Sequence, residues 1–166
     1  MRTLEFTPSL VLQIGAAQWP PPDAPVTVGG ITLHPKAELH VTLVGSALGG
    51  ELLRTVARPL LLDTVSRALA AHDATPRRTG VLLLLRKPFN EGGRGGVAHS
   101  VIEKVSLEAM APLHAALGHL LGRRLPVPPP HVTLYTAGLD SGIGVSSPQR
   151  LRALSVRAID PAELAR

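Results

Sequence analysis

The stretch His40-Val41-Thr42-Leu43 recurs about ninety residues later as His131-Val132-Thr133-Leu134. Residues i and i+2 of a β-strand point to the same face, so each copy predicts a strand with an imidazole beside a hydroxyl on one side. The valine and leucine of each copy face the other way, into a core. If the two strands line a common cleft, two histidine and threonine pairs converge there.

The segments around the two copies alternate between strand and helix signals. Apolar and β-branched runs predict strands over 4–14, 31–34, 38–44, 81–87, 97–105, 131–136 and 154–159. Helical spacing predicts helices over 50–72, where Pro59 starts or kinks a helix, and over 107–121, with Gly122 as the stop. Ser147-Pro148 is a helix-start signal. Prolines predict a loop over 19–25, and Pro88 to Gly96 is expected to form a long mobile hairpin loop.

The two halves of the chain share this order of elements, and no low-complexity block separates them. A chain of 166 residues has the usual length of one domain. We therefore expect a single α+β domain over 1–166, built from two similar lobes with antiparallel sheets and a groove between them. Only four aromatic residues occur, so aliphatic side chains must fill the core: Phe6, Trp19, Phe89 and Tyr135.

Composition excludes several classes of protein. There is no cysteine, which excludes disulfides and thiolate zinc sites. No apolar run approaches the roughly 18 residues of a membrane-spanning helix, and Glu5, Pro8 and Gln13 interrupt the N-terminal stretch that a secretory signal requires. We expect a cytoplasmic protein that acts as a monomer. Its net charge of +5 favours anionic partners or reflects a coding bias toward arginine.

Two imidazoles facing one phosphorus centre suit phosphoryl chemistry. The unperturbed pKa of histidine is near 6.5, so one ring can accept a proton from the attacking hydroxyl while the other protonates the leaving oxygen. The hydroxyls of Thr42 and Thr133 can donate hydrogen bonds to the phosphoryl oxygens, where charge accumulates. This chemistry requires no metal and no cofactor.

The paired His-x-Thr-x strings resemble those of the 2H phosphoesterases, which include the 2'-5' RNA ligase-like proteins and the cyclic phosphodiesterases. The resemblance covers most of the chain in element order, but only the eight residues of the two strings match a motif. It implies a bilobal α+β fold with pseudo-twofold symmetry and metal-independent work on 2',3'-cyclic or 2'-5' phosphodiesters of nucleotides or RNA ends. By this likeness His40 and His131 are the acid/base pair, and Thr42 and Thr133 bind phosphate.

Other polar residues give weaker signals. Tyr135 continues the alternation of the second copy, so its ring should face the cleft and either stack on a base or pack at the rim. Arg94, within the glycine-rich segment 92–96, and Lys87 could swing over an RNA strand, although a simple hairpin also explains the glycines. The segment 142–147 could expose amides toward the cleft or form a simple turn and N-cap. The remaining histidines lack a matched partner and are predicted to be structural or solvent-facing: His34, His72, His99, His114 and His119.

Two other functions remain open from sequence. One is a non-catalytic RNA- or nucleotide-binding module that uses the same groove. The other is a metal-dependent hydrolase, although suitably spaced acidic ligands are missing and no metal ligand is assigned. The residues do not decide the substrate, the choice between hydrolysis and ligation, or which histidine is the base.

Overall fold

The chain is an α+β protein with an antiparallel sheet, as its sequence predicts. A computed structural model describes residues 5–165. The strands are β1 (Leu10–Ile14), β2 (Val26–Val28), β3 (Ile31–Pro35), β4 (Leu39–Val44), β5 (Arg77–Glu91), β6 (Arg94–Ser106), β7 (His131–Ala137) and β8 (Ser155–Ile159). The helices are α1 (Ser46–Thr55), α2 (Arg58–Ala71), α3 (Met110–Leu121) and α4 (Pro148–Leu154). A short 3-10 turn follows at Pro161–Leu164. None of the helices within 5–165 is long and apolar enough to cross a membrane.

The strands form one hydrogen-bonded sheet of order β1-β4-β7-β6-β5-β8, and β3 adds to β7 while it pairs with β2. Both copies of the repeated string therefore lie on neighbouring strands, β4 and β7. The expected division of the strands between two lobes, each with its own sheet, is not confirmed, because β4 and β7 pair directly.

Two apolar clusters cover the two faces of the sheet unequally. The larger one includes Leu52, Val65 and Leu113 of α1, α2 and α3 together with the apolar side chains on one face of the strands. On the other face, α4 and the segment before it pack Leu151 and Ile143 over β5 and β6. This smaller cluster does not extend over β4 and β7, and the pocket described below lies on that part of the sheet.

The helix boundaries follow the local signals in the sequence. Pro59 lies in the first turn of α2, where its missing N–H costs no hydrogen bond, so the expected helix over 50–72 is two helices. Gly122 ends α3 in the left-handed conformation, with a φ of 68° that favours glycine. The Ser147 hydroxyl accepts a hydrogen bond of 3.1 Å from the Arg150 N–H and caps α4.

The expectation of a long mobile loop over Pro88 to Gly96 is wrong. Strands β5 and β6 stay paired as far as Glu91 and Arg94, and only Gly92 and Gly93 turn the chain. Both glycines have positive φ angles, 58° and 81°, as a tight two-residue hairpin requires. The glycines in β6 do not break the strand, since the Phe89 ring lies against Gly96 and fills the missing side chain's place.

Two other strand predictions need correction. The strand predicted over 4–14 begins at Leu10, and its first residue, position 4, lies outside the described residues. Strand β2 was not predicted, because three residues after a proline-rich segment carry too little periodicity to be recognised. It forms a hairpin with β3 around Gly29 and Gly30, both with positive φ.

Candidate active site

The two copies of the repeated string are cross-strand neighbours in antiparallel register. Val41 lies opposite Val132, so the register sets His40 opposite Thr133 and Thr42 opposite His131. The buried valines between them show on which face of the sheet the four polar side chains lie. Val41 and Val132 are fully buried in the larger cluster, so the histidines and threonines share the opposite face.

This register sets the spacing of the four polar side chains. Directly opposite residues have Cβ atoms about 4.5–5.5 Å apart, and diagonal neighbours lie about 7–8 Å apart. His40 and His131 are one diagonal pair, and Thr42 and Thr133 are the other. The two imidazoles are thus far enough apart to flank one phosphoryl group and close enough to act on the same one.

All four side chains line one cavity of about 640 Å³. Its walls come from the start of α1 (45–48), the proline-rich approach to β7 (125–129) and the segment 141–146 before α4. One charged side chain each comes from α1, β5, the end of α3 and α4, namely Glu51, Lys87, Arg123 and Arg150. This volume is in the range of small-ligand sites.

The orientation of the His131 ring is set by the backbone two residues earlier. Its Nδ1 lies 3.0 Å from the Pro129 carbonyl oxygen. A carbonyl can only accept, so Nδ1 carries the proton and the neutral ring presents the lone pair of Nε2. Burial lowers the pKa of His131, the hydrogen bond to Pro129 raises it, and the charge of His40 lowers it again, for a net decrease.

The environment of His40 also favours the neutral ring. Burial lowers its pKa first, the positive charge of Lys36 lowers it further, and Glu38 raises it. Lys36 is held near the pocket because its Nζ donates a hydrogen bond of 2.6 Å to the Asp140 carbonyl oxygen. Both imidazoles are therefore neutral at neutral pH, where they can accept a proton, and they become protonated only at lower pH.

The N-terminus of α1 also lines the cavity. Helix α1 begins at Ser46, directly after β4 and Gly45, and no acidic residue occupies its first turn. The first backbone N–H groups of a helix have no partner within it, and the helix dipole makes this end positive. Because β4 leads straight into α1, the sequence after the first motif gives hydrogen-bond donors for an anion held between the motifs.

The segment before α4 packs directly on the second motif. A Cβ on Gly142 would meet the Thr133 side chain at 3.4 Å, and the φ of 81° at this position favours glycine. Gly144 and Ser146 line the cavity, and the exposure of their amides toward the cleft stays a prediction. Ser147 instead caps α4, which fits the alternative prediction of a simple N-cap.

The prediction that Tyr135 faces the cleft is wrong. Val101 and Ile102 of β6 pair with Tyr135 and Thr133, so Leu134 is an extra residue in β7 and forms a bulge. The bulge breaks the alternation of side chains, and Tyr135 is buried in the larger core cluster. Burial and the nearby charge of Asp23 raise its pKa. No aromatic side chain is among the cavity-lining residues within 5–165.

The charged residues of the pocket include three that sequence reasoning missed. Glu51 and Arg123 form a two-pronged ion pair that joins α1 to the segment after α3, with one contact of 2.6 Å between Arg123 Nη2 and Glu51 Oε2. Arg150 lies in the first turn of α4. They belong to no motif and are far apart in the chain, so no sequence signal could have found them. Lys87 lines the pocket, whereas Arg94 lies at the hairpin tip and does not.

The remaining histidines do not line this pocket. His114 is buried within α3, with its Nδ1 3.0 Å from the Met110 carbonyl oxygen. Within 5–165, no three histidine, aspartate or glutamate side chains are grouped as a metal site would require. The pocket's hydroxyls, imidazoles and cations are groups that bind an anion.

Comparison with known proteins finds no protein-family model, no curated protein sequence and no solved structure that matches this chain.

Proposed function

We propose that this chain is a phosphodiesterase that acts, without a metal, on 2',3'-cyclic phosphates or 2'-5' phosphodiester bonds of nucleotides or RNA ends. The observation that carries the proposal is the meeting of both histidine and threonine pairs on one face of one cavity. The proton chemistry follows from that geometry. The class of bond follows from the resemblance of the two motifs to those of the 2H phosphoesterases.

The reaction needs one proton acceptor and one proton donor on opposite sides of phosphorus. For a 2',3'-cyclic phosphate, one neutral imidazole takes a proton from water as the new bond between water oxygen and phosphorus forms. The bond from phosphorus to one ribose oxygen breaks, and the second imidazole, as imidazolium, protonates that oxygen. The product is a phosphomonoester with a free neighbouring hydroxyl, and the pair has exchanged protonation states.

The contacts of the two rings favour His131 as the base and His40 as the acid in hydrolysis. His131 donates its Nδ1 proton to Pro129, which leaves the Nε2 lone pair free to accept. Burial is the largest cause of the lowered pKa at both rings, and each ring has one further neighbour that lowers its pKa and one that raises it. The fixed tautomer of His131 therefore carries the assignment, and His40 holds the single proton that the pair needs.

The hydroxyls and the α1 amides stabilise the charge that builds up on the non-bridging oxygens. Thr42 and Thr133 are on the second diagonal of the four-residue arrangement, one on each side of a phosphoryl group that lies between the imidazoles. Fixed donors in a partly buried pocket stabilise developing charge without reorganisation during the reaction. The start of α1 adds backbone donors on the side of Thr42.

The finer architecture that we propose is a local two-fold relation between the motifs. Exchanging β4 with β7 about the Val41 and Val132 pair carries each histidine onto the other, and each threonine likewise. Such a relation fits two similar halves that share one groove. It also lets a phosphodiester be attacked from either side, so the same site could run the reaction toward ligation.

The proposal is tested by incubating the protein with adenosine 2',3'-cyclic phosphate in the presence of EDTA. We expect a phosphomonoester product, and we expect His40→Ala and His131→Ala each to reduce kcat/KM by on the order of 10²–10⁴. His119→Ala is the matched control, because His119 is an exposed histidine on α3 that does not line the pocket.

Two results would contradict the proposal. Retention of the wild-type rate in both motif variants would remove the two-histidine mechanism. Binding of the cyclic nucleotide without product would favour the binding module, and activity that EDTA abolishes and zinc restores would favour the metal-dependent hydrolase. Melting temperatures of the variants, compared with the wild type, separate lost chemistry from lost folding.

A further inference from the structure

The charges of the pocket exceed what one phosphodiester can neutralise. Lys87, Arg123 and Arg150 line the cavity together with one carboxylate, Glu51. Arg123 is paired with that carboxylate through both of its terminal nitrogens. Among residues 5–165, no ion pair within 4.0 Å involves Lys87 or Arg150. With the histidines neutral, two positive charges remain, whereas a phosphodiester carries one negative charge.

The two unpaired cations come from elements that are neighbours in the fold. Lys87 is on β5 and Arg150 is in the first turn of α4, and these elements pack against each other through the smaller apolar cluster. Leu85 and Leu151 both belong to that cluster. Lys87 follows Leu85 on the same face of β5, and Arg150 immediately precedes Leu151. The paired Arg123 comes from a different segment, directly after Gly122 at the end of α3.

Sheet register separates Lys87 from the reacting centre. Thr133 lies opposite Ile102, which lies opposite Leu83, so Lys87 is four residues farther along β5. Four residues of strand span about 13 Å, and β5 is two strands from β7, which adds about 10 Å across the sheet. The flexible lysine side chain spans only part of this distance, so its ammonium group does not reach a phosphorus atom held between the two histidines.

The geometry points to a second phosphate-binding subsite at Lys87 and Arg150, so that the preferred substrate carries a further phosphate beside the one that reacts. This inference rests on the proposed function and narrows its substrate class. Lysine binds phosphate as a compact charge, and arginine binds it through a planar fork of N–H donors. The exposed hydroxyls of Ser141 and Ser146 line the same cavity and can donate to the same group.

A second phosphate can come from two chemical sources. It can be a phosphomonoester at the other end of the same nucleotide, or it can be the next phosphodiester of an RNA chain. Both present oxygens to the same cations. The pocket has no aromatic lining among the described residues, so the second phosphate, and not a stacked base, would provide most of the preference between substrates.

Equilibrium binding tests the subsite independently of turnover. Titration calorimetry at fixed ionic strength compares adenosine 3'-monophosphate with adenosine 3',5'-bisphosphate. We expect the bisphosphate to bind at least about tenfold more tightly, which corresponds to one charge-assisted contact. Lys87→Met and Arg150→Gln should each remove most of that difference. Arg86→Met and Arg152→Gln are the matched controls, because each is a neighbour in the chain that does not line the pocket.

Steady-state kinetics then shows whether the second phosphate is a phosphomonoester or the next phosphodiester. It also separates failure of the subsite from failure of the proposed function. The substrates are adenosine 2',3'-cyclic phosphate, the same nucleotide with a 5'-phosphate, and a diadenylate that ends in a 2',3'-cyclic phosphate. A lower KM for the second or third substrate identifies the phosphomonoester or the phosphodiester as the preferred group. The subsite proposal is overturned if the two adenosine phosphates bind equally well. It is also overturned if Lys87→Met and Arg150→Gln both keep the preference for the bisphosphate. If none of the three cyclic substrates is turned over, the proposed function is contradicted. The calorimetric comparison still tests the subsite, because it measures binding without turnover.

Discussion

Val41 and Val132 are direct cross-strand partners at the centre of the sheet, and both are fully buried. Their pairing is what brings the four polar side chains of the motifs to one face. A slip of one residue between β4 and β7 would turn one motif's valine outward and bury its histidine and threonine. The apolar half of each motif therefore determines where its polar half acts.

Removal of the motif hydroxyls should lower kcat while the fold stays intact. Thr42→Val and Thr133→Val keep the shape of the side chain but delete the O–H donor, and loss of one such donor typically costs about 10²–10³ in kcat. Thr42→Ser and Thr133→Ser should recover most of the rate because they keep the hydroxyl. Thr27→Val on β2, outside the pocket, is the control. Equal rates for the valine and serine variants would show that the hydroxyls do not act on the phosphate.

Under the proposed function, the pH dependence should differ between the free protein and its complex with substrate. Burial lowers the pKa of both His40 and His131 below 6.5, so the form of the free protein with one of the two rings protonated is most populated below that pH. We expect kcat/KM to be highest below pH 6.5 and to fall as the pH rises. A bound phosphodiester anion favours the imidazolium and raises these pKa values, so the kcat profile should lie at higher pH.

Two charged neighbours of His40 give opposite shifts in the same profile. The charge of Lys36 lowers the pKa of His40 and the charge of Glu38 raises it. Lys36→Met should therefore move the descending limb of kcat/KM to higher pH, and Glu38→Gln should move it to lower pH. Shifts in the same direction, or a limb that neither variant moves, would assign the limb to another group. The measurement is a full pH–rate profile for each variant at constant ionic strength.

The buried His114 should make the protein less stable in mild acid. Burial lowers its pKa below the unfolded value of 6.5, although the hydrogen bond to Met110 opposes the shift. The unfolded chain then binds more protons, so this contribution to stability is present above pH 6.5 and is lost as the pH falls toward the folded pKa. His114→Leu, which also removes a buried Nε2 that has no hydrogen-bond partner among residues 5–165, should flatten the decline in melting temperature between pH 7.5 and 5.5. An unchanged slope would mean that other groups cause it.

Gly118 should be intolerant of even one added methyl group. A Cβ at this position would lie 2.5 Å from the Arg123 carbonyl oxygen, so the chain after α3 would have to move. We expect Gly118→Ala to cost about 1–3 kcal/mol in the free energy of unfolding. Gly15→Ala is the control, since a Cβ there meets no atom of the described part of the chain within 4 Å. Urea denaturation measures both variants, and a Gly118→Ala protein as stable as the wild type would contradict the close packing of this turn.

The sequence by itself determined the elements whose signals are local. The apolar alternation of the two motifs predicted β4 and β7, and Gly122 predicted the end of α3. The same alternation identified His40, Thr42, His131 and Thr133 as the polar half of each strand. These predictions succeeded because hydrophobic burial acts residue by residue along a strand, and its period of two is visible in the sequence.

Tertiary structure alone decided how those elements meet. The bulge at Leu134 turned Tyr135 into the core, and the pairing of β5 with β6 kept the glycine-rich segment in strands. Arg123 and Arg150 reached the pocket, and Lys87 joined them there, because long-range packing placed the end of α3, β5 and α4 around one cavity. Such positions depend on contacts between segments that are distant along the chain, and these contacts cannot be inferred from local sequence propensity.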